Sequence, residues 1–148
     1  MAGDRAASLR GEGDLRLAIV VDPKLVPGLL ANTVAAISVG LGAVHPGLGG
    51  VGLTDANGTT IYNSADRPVP ILQADAEVMR DLLERAAGKA LEPTLVVFPA
   101  YARSRHTFTD YEATFGERSL SDEKIDGIGL CGSSKRVKSL TGSLKLLR

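Results

Sequence analysis

Between Leu25 and Thr54 the chain runs for 30 residues without Asp, Glu, Lys or Arg. Such a stretch either crosses a membrane or is folded into a domain. A bilayer requires about 20 mostly apolar residues in one helix. The best helical part, Leu29 to Val44, has 16 residues and carries Asn32, Thr33, Ser38, Gly40 and Gly42. Pro46 and several glycines follow. A helix packed on a sheet fits this pattern better, and no membrane association is expected. Pro27 and Gly28 open the helix, because proline suits a first helical turn. The glycines should stop it at about Leu41.

The rest of the chain supplies the sheet. Leu15 to Val21 (LRLAIVV) reads as a central strand, since it is β-branched and apolar on both faces at its end. Asp55-Ala56-Asn57-Gly58 is a turn signal between Val51–Leu53 and Thr59–Tyr62, which predicts a small hairpin. Val69 to Leu72 (VPIL) is a short strand, placed at an edge by its internal Pro70. Asp75 caps a helix from Ala76 to about Leu91, with Val78, Leu82, Leu83 and Ala86 as its apolar stripe. Thr94 to Phe98 (TLVVF) reads as a second central strand, and Thr109 to Glu112 as a capping box. Lys124 to Cys131 is a strand, Ser133 or Ser134 caps a last helix with Val137 and Leu140 inward, and the tail docks through Leu144, Leu146 and Leu147. Strands separated by helices predict a three-layer α/β/α sandwich. At 148 residues the chain is one domain, spanning 14–148 behind a flexible N-terminus, 1–13. That N-terminus has no apolar core behind a basic start, so it is not read as a signal peptide, and the cytoplasm is the expected location.

Lys plus Arg is 17 and Asp plus Glu is 17. A net charge of zero excludes global electrostatic capture of nucleic acid or anionic membrane. A single cysteine excludes an internal disulfide. The two histidines and one cysteine lack metal-ligand spacing, so neither a metal nor a cofactor is expected. Gly47, Gly49 and Gly52 satisfy G-x-G-x-x-G, but the strand that should precede a dinucleotide fingerprint and the helix that should follow it are absent. A plain loop is the reading.

Three residues are candidates for catalysis. Cys131 ends a strand before a helix N-terminus, a placement that lowers a thiol pKa. His45 or His106 would supply the base. For ligand binding the candidates are Asp22 and Lys24, which follow the first strand where open α/β sheets take ligands. Asn32 lies about a turn beyond Gly28, His45 stands at a helix end before a glycine loop, and Thr141 belongs to the tail. Arg103, Arg105 and His106 form one basic cluster; Lys135, Arg136, Lys138, Lys145 and Arg148 form another. Phosphate, and hence tRNA, is a partner only if the two meet in space.

The segment Gly132 to Leu146 (GSSKRVKSLTGSLKL) resembles the C-terminus of peptidyl-tRNA hydrolases of the second class. That family closes with a glycine turn, a helix and a Thr-Gly-x-Leu-Lys-Leu tail, positions held here by Thr141, Gly142, Leu144, Lys145 and Leu146. A strand, a polar turn, Gly28 and a small-residue helix match its opening. Over Leu15 to Arg148 the chain is still more similar to an uncharacterised family with that fold, through Ile19–Asn32, Asp55–Gly58 and Leu140–Arg148. The resemblance implies a mixed four- or five-stranded sheet with helices on both faces and a cleft near the first helix and the tail. The hydrolase lysines are replaced here by Leu29, Leu30 and Ala31, and its acidic stretch by Phe98-Pro99-Ala100-Tyr101. The scaffold is therefore implied without the chemistry.

The expected function is binding of a small molecule or peptide in a cleft at the strand ends. One alternative is a hydrolase of peptidyl-tRNA or a related ester, with a base rebuilt from His45 or His106 and an oxyanion held near Gly132. Another is a homodimeric module joined through the apolar tail and the hairpin.

Overall fold

A computed structural model describes residues 14–88 and 92–148; the expected flexible stretch 1–13 lies outside them. In chain order the elements are β1 (Leu15–Val21), α1 (Pro27–Val44), a 3₁₀ turn (Pro46–Leu48), β2 (Gly52–Thr54), β3 (Thr60–Tyr62), β4 (Ile71–Gln73), α2 (Ala76–Ala86), β5 (Thr94–Pro99), a 3₁₀ turn (Ala100–Ser104), α3 (Phe108–Glu117), a 3₁₀ turn (Leu120–Asp122), β6 (Ile125–Ser133), α4 (Ser134–Thr141) and β7 (Lys145–Leu146).

Side-chain alternation along β1 organises the layers, because successive residues of a strand point to opposite faces. Leu17, Ile19 and Val21 pack with Ile37 and Leu41 of α1. Ala18 and Val20 pack with Met79 and Leu82 of α2 and Val137 and Leu140 of α4. The result is a mixed five-stranded sheet, ordered β5-β6-β1-β4-β7, with helices on both faces. β1 is antiparallel to β6 from Leu15 opposite Ser133 to Val21 opposite Gly127, and parallel to β4, where Ile19 faces Ile71.

Glycines in β6 set the seat of α1. A Cβ on Gly127 would stand 2.8 Å from Thr33 and 2.9 Å from Ile37, and one on Gly129 would overlap Ile37 and stand 3.0 Å from Leu41. The helix lies against bare backbone there, while Ile128 and Leu130 fill the opposite face. α1 is long and apolar enough by length and composition to cross a membrane, yet it is held on the sheet by Thr33, Ile37 and Leu41.

Several expectations are corrected. α1 continues through Gly40 and Gly42 to Val44, since packing on the sheet overrides the weak helix propensity of glycine. α2 ends at Ala86, not near Leu91, and its inward stripe is Met79, Leu82, Leu83 and Ala86, with Val78 outside. Asp75 does cap it, accepting from Val78 N at 2.9 Å. β5 is an edge strand. β4 is internal, and Pro70 precedes it, offering its carbonyl to Ile19 N. Thr107, not Thr109, caps α3. Of the tail leucines, Leu144 and Leu147 pack inward and Leu146 is exposed.

Candidate functional site

α1 follows β1 and runs back along it, so its C-terminal end arrives beside the strand's beginning. His45 caps that end, its backbone N–H donating to the Leu41 carbonyl. Its ring Nε2 lies 2.8 Å from the Thr94 hydroxyl at the start of β5. Pro46 then turns the chain, and Leu48 buries itself under the turn. The glycines that follow form a wall. A Cβ on Gly49 would stand 3.2 Å from the Ser64 carbonyl, and Gly50 has φ +79°, a conformation that glycine adopts without a steric cost. Asn63 fixes the base of the β2–β3 hairpin: its side-chain oxygen accepts from Val51 N at 2.7 Å, and its N–H donates to the Val51 carbonyl at 2.9 Å.

These pieces enclose a cavity of about 380 Å³. Leu17 and Ile19 make its floor, Ser38, Leu41, Gly42 and His45 one wall, and Gly49, Gly50, Asn63, Ser64 and Val69 the other. Among the described residues that line it, none carries Asp, Glu, Lys or Arg. Its volume falls within the usual range for a small-molecule site. The arrangement suits an uncharged, mainly apolar molecule with a polar group directed at His45 or Asn63.

The other predicted site residues lie elsewhere. Asp22 and Lys24 stand at the far, carboxyl end of β1, where the Asp22 carboxylate accepts from Lys24 N at 2.9 Å. Asn32 is exposed rather than buried, and its 13-residue separation from His45 along α1 corresponds to about 20 Å. Thr141 is buried on the opposite face of the sheet and donates to the Val137 carbonyl at 2.7 Å. The five residues therefore do not share one cleft. His106 is exposed in the link before α3. Cys131 is buried in the core beneath α1, across the strand pair from Thr94, and does not line the cavity.

Sequence reasoning missed the carboxyl-end ion pair. Asp126 is fully buried at the start of β6, and Arg103 donates to both of its carboxylate oxygens at 2.6 Å. That bond raises the guanidinium above its ordinary range. The signal in the sequence was a lone acid in an apolar strand (IDGIGLC), since buried charges are paired. Arg103 and Arg105 follow β5 at this end, whereas Lys135 and Arg136 begin α4 at the other end of β6. Arg136 is engaged with the Arg85 carbonyl at 2.8 Å. The two basic clusters therefore do not meet through these residues. No group of three or more His, Cys, Asp or Glu among the described residues is placed to hold a metal ion.

No curated protein matches the chain. Among solved structures, a protein of unknown function from Agrobacterium tumefaciens strain C58 has a similar fold, with a TM-score of 0.81 at 20% identity over 90% of this chain and 97% of that one. Residues 15–148 match the family described as protein of unknown function, DUF2000. A match over nearly all of the described chain, continuous from β1 to the C-terminus, places it in that family: the chain belongs to DUF2000.

Proposed function

We propose that residues 14–148 form a single small-ligand-binding domain, and that the ligand is an uncharged, mainly apolar molecule held between the end of α1 and the Gly49–Gly50 wall. The observation that carries this reading is the 380 Å³ cavity lined by apolar side chains and a few polar ones, with His45 at its edge. That volume equals roughly a dozen liquid waters, room for one or two rings. His45 supplies one hydrogen-bonding ring to orient the ligand, and its contact with Thr94 holds the imidazole in place. The mixed sheet, the helices on both faces and a Thr141–Leu146 tail that ends α4 and forms β7 support kinship with the peptidyl-tRNA hydrolase 2-like fold. The hydrolase activity itself has less support, because Arg103 is committed to Asp126 and Leu29 to Ala31 offer no cation to a phosphate.

The test is a screen by amide chemical shifts with neutral one- and two-ring probes, such as indole and quinolinone, against the wild-type chain and Gly42→Leu. Gly42 lines the cavity and a Cβ there meets nothing within 4 Å, so a leucine side chain starts without a clash and takes up part of the space a ring would need. Shifts confined to the His45 and Asn63 walls and lost in Gly42→Leu support the site. Shifts that persist in the variant, or that cluster near Asp22, refute it.

A further inference from the structure

α1 has a second face that the chain leaves uncovered. Only Thr33, Ile37 and Leu41 of its 18 residues are buried. Half a turn away stand Asn32, Ala35, Ala36, Val39 and Ala43, all exposed, with Val39 at 73%. A solvent-facing helix ordinarily carries charge there, as α2 does with Glu77, Arg80, Asp81, Glu84 and Arg85. The β2–β3 hairpin adds Leu53, Ile61 and Tyr62, exposed by 50%, 58% and 79%. Its base and α1 border the same cavity.

We propose that this face pairs two copies of the chain about a two-fold axis. In such an interface each residue near the axis meets its own symmetry mate, so any charge there would oppose itself. The stretch from Leu25 to Thr54 has no charge to oppose. Asn32 can both donate and accept, so its amide can pair with the same amide of the second copy. A lipid surface is a poorer match, because interfacial helices border their apolar face with Lys and Arg, and this stretch has neither. The helix is about 27 Å long. A stable dimer buries about 800 Å² per partner, so the interface has to take in the exposed Leu53, Ile61 and Tyr62 of the hairpin as well as the helix.

The test is sedimentation velocity on the full chain, with Val39→Glu and Ala35→Glu as independent variants and melting temperature as the folding control. The wild type should sediment at twice the chain mass. Each variant should dissociate at least ~100-fold more readily, because like charges across an interface cost several kcal/mol, with its melting curve monomeric but cooperative. Mixing Val39→Glu with Val39→Lys should restore the dimer, which only self-facing positions permit. A wild type that stays monomeric at roughly 0.5 mM, far above a micromolar Kd, overturns the proposal. So does a dimer that survives both glutamates, which would put the interface elsewhere, or a monomer that instead floats with neutral phosphatidylcholine vesicles.

Discussion

The two ends of the central sheet each carry an arginine–aspartate pair but bury it differently. At the carboxyl ends of β1 and β5, a buried carboxylate closes the structure: Arg103 grips both oxygens of Asp126, and the Asp126 carbonyl takes the Asp22 N–H at 3.0 Å. At the amino ends the ion pair lies nearer the surface: Arg67 donates to both carboxylate oxygens of Asp66, at 2.7 and 3.1 Å, and to the Leu15 carbonyl at 2.9 Å. The glycine loop is tied to the hairpin base through Asn63 and Asp66, and the space it encloses carries no charge. One end thus buries a charge to close the structure, and the other keeps its ion pair outside a space lined by apolar side chains and glycine. A buried charge is tolerated only when tightly paired, so Asp126 draws its cation close, whereas the uncharged cavity lining makes no such demand.

Breaking the closed end should have the largest effect. Arg103→Ala leaves Asp126 buried without its cation, a loss worth about 3–5 kcal/mol for a buried pair. Arg103 is about a third exposed, so water can reach the site and the lower part of that range is expected. Arg103→Lys should recover only part of it, because an ammonium cannot match the two-oxygen grip. Urea unfolding midpoints measure both. A loss below about 1 kcal/mol for Arg103→Ala would mean that Asp126 is stable unpaired, and the contrast between the ends would collapse.

The seat of α1 links the two ends and comes next. Gly129→Val places atoms into Ile37 and Leu41, and overpacking of this kind costs about 1–3 kcal/mol. Leu41 also lines the cavity, so probe binding should weaken together with stability. Gly42→Leu should act in the opposite direction, adding about 1 kcal/mol through helix propensity while abolishing probe binding. Stability and binding would then part company at the open end only. A Gly42→Leu protein that melts lower than wild type would show that the wall is packed, not open.

What could be read in the sequence was what neighbours decide. β1, the hairpin turn and the Asp75 cap each depend on a few adjacent residues, and each was legible. β5 was misplaced because TLVVF is apolar on both faces. Leu95 and Val97 pack on one layer, Val96 and Phe98 on the other. Double-sided burial reports the layers above and below a strand, not its neighbours within the sheet. Asn32 was not separable from a crevice residue for a related reason: α1 has no charges to distinguish its outside from its inside. His45 was legible as a helix end before a proline. Its separation from Asp22 follows from the helix running back along β1, a long-range fact that no local pattern carries. Asp126 was visible as an isolated acid, but nothing near it marks a partner 23 positions earlier.

The smallest effect sharpens the picture of the hairpin that walls the open end. The Asp55 carboxylate accepts backbone N–H bonds from Thr59 at 2.9 Å and Asn57 at 2.8 Å. Those bonds, Thr59 first, hold its pKa below the ordinary 3.8. Because the folded value is depressed, the turn is reinforced at every pH above 3.8 and loses that reinforcement as the pH falls through the lower, folded value. Carboxyl carbon shifts should titrate Asp55 below 3.8, and the amides of Asn57 and Thr59 should move with the same midpoint. Acidification should therefore loosen the β2–β3 turn before it disturbs the cavity floor, where Leu17 and Ile19 have nothing to titrate. If the Leu17 and Ile19 amides shift in step with Asp55, the hairpin and the cavity are one cooperative unit, and the wall cannot open without the floor.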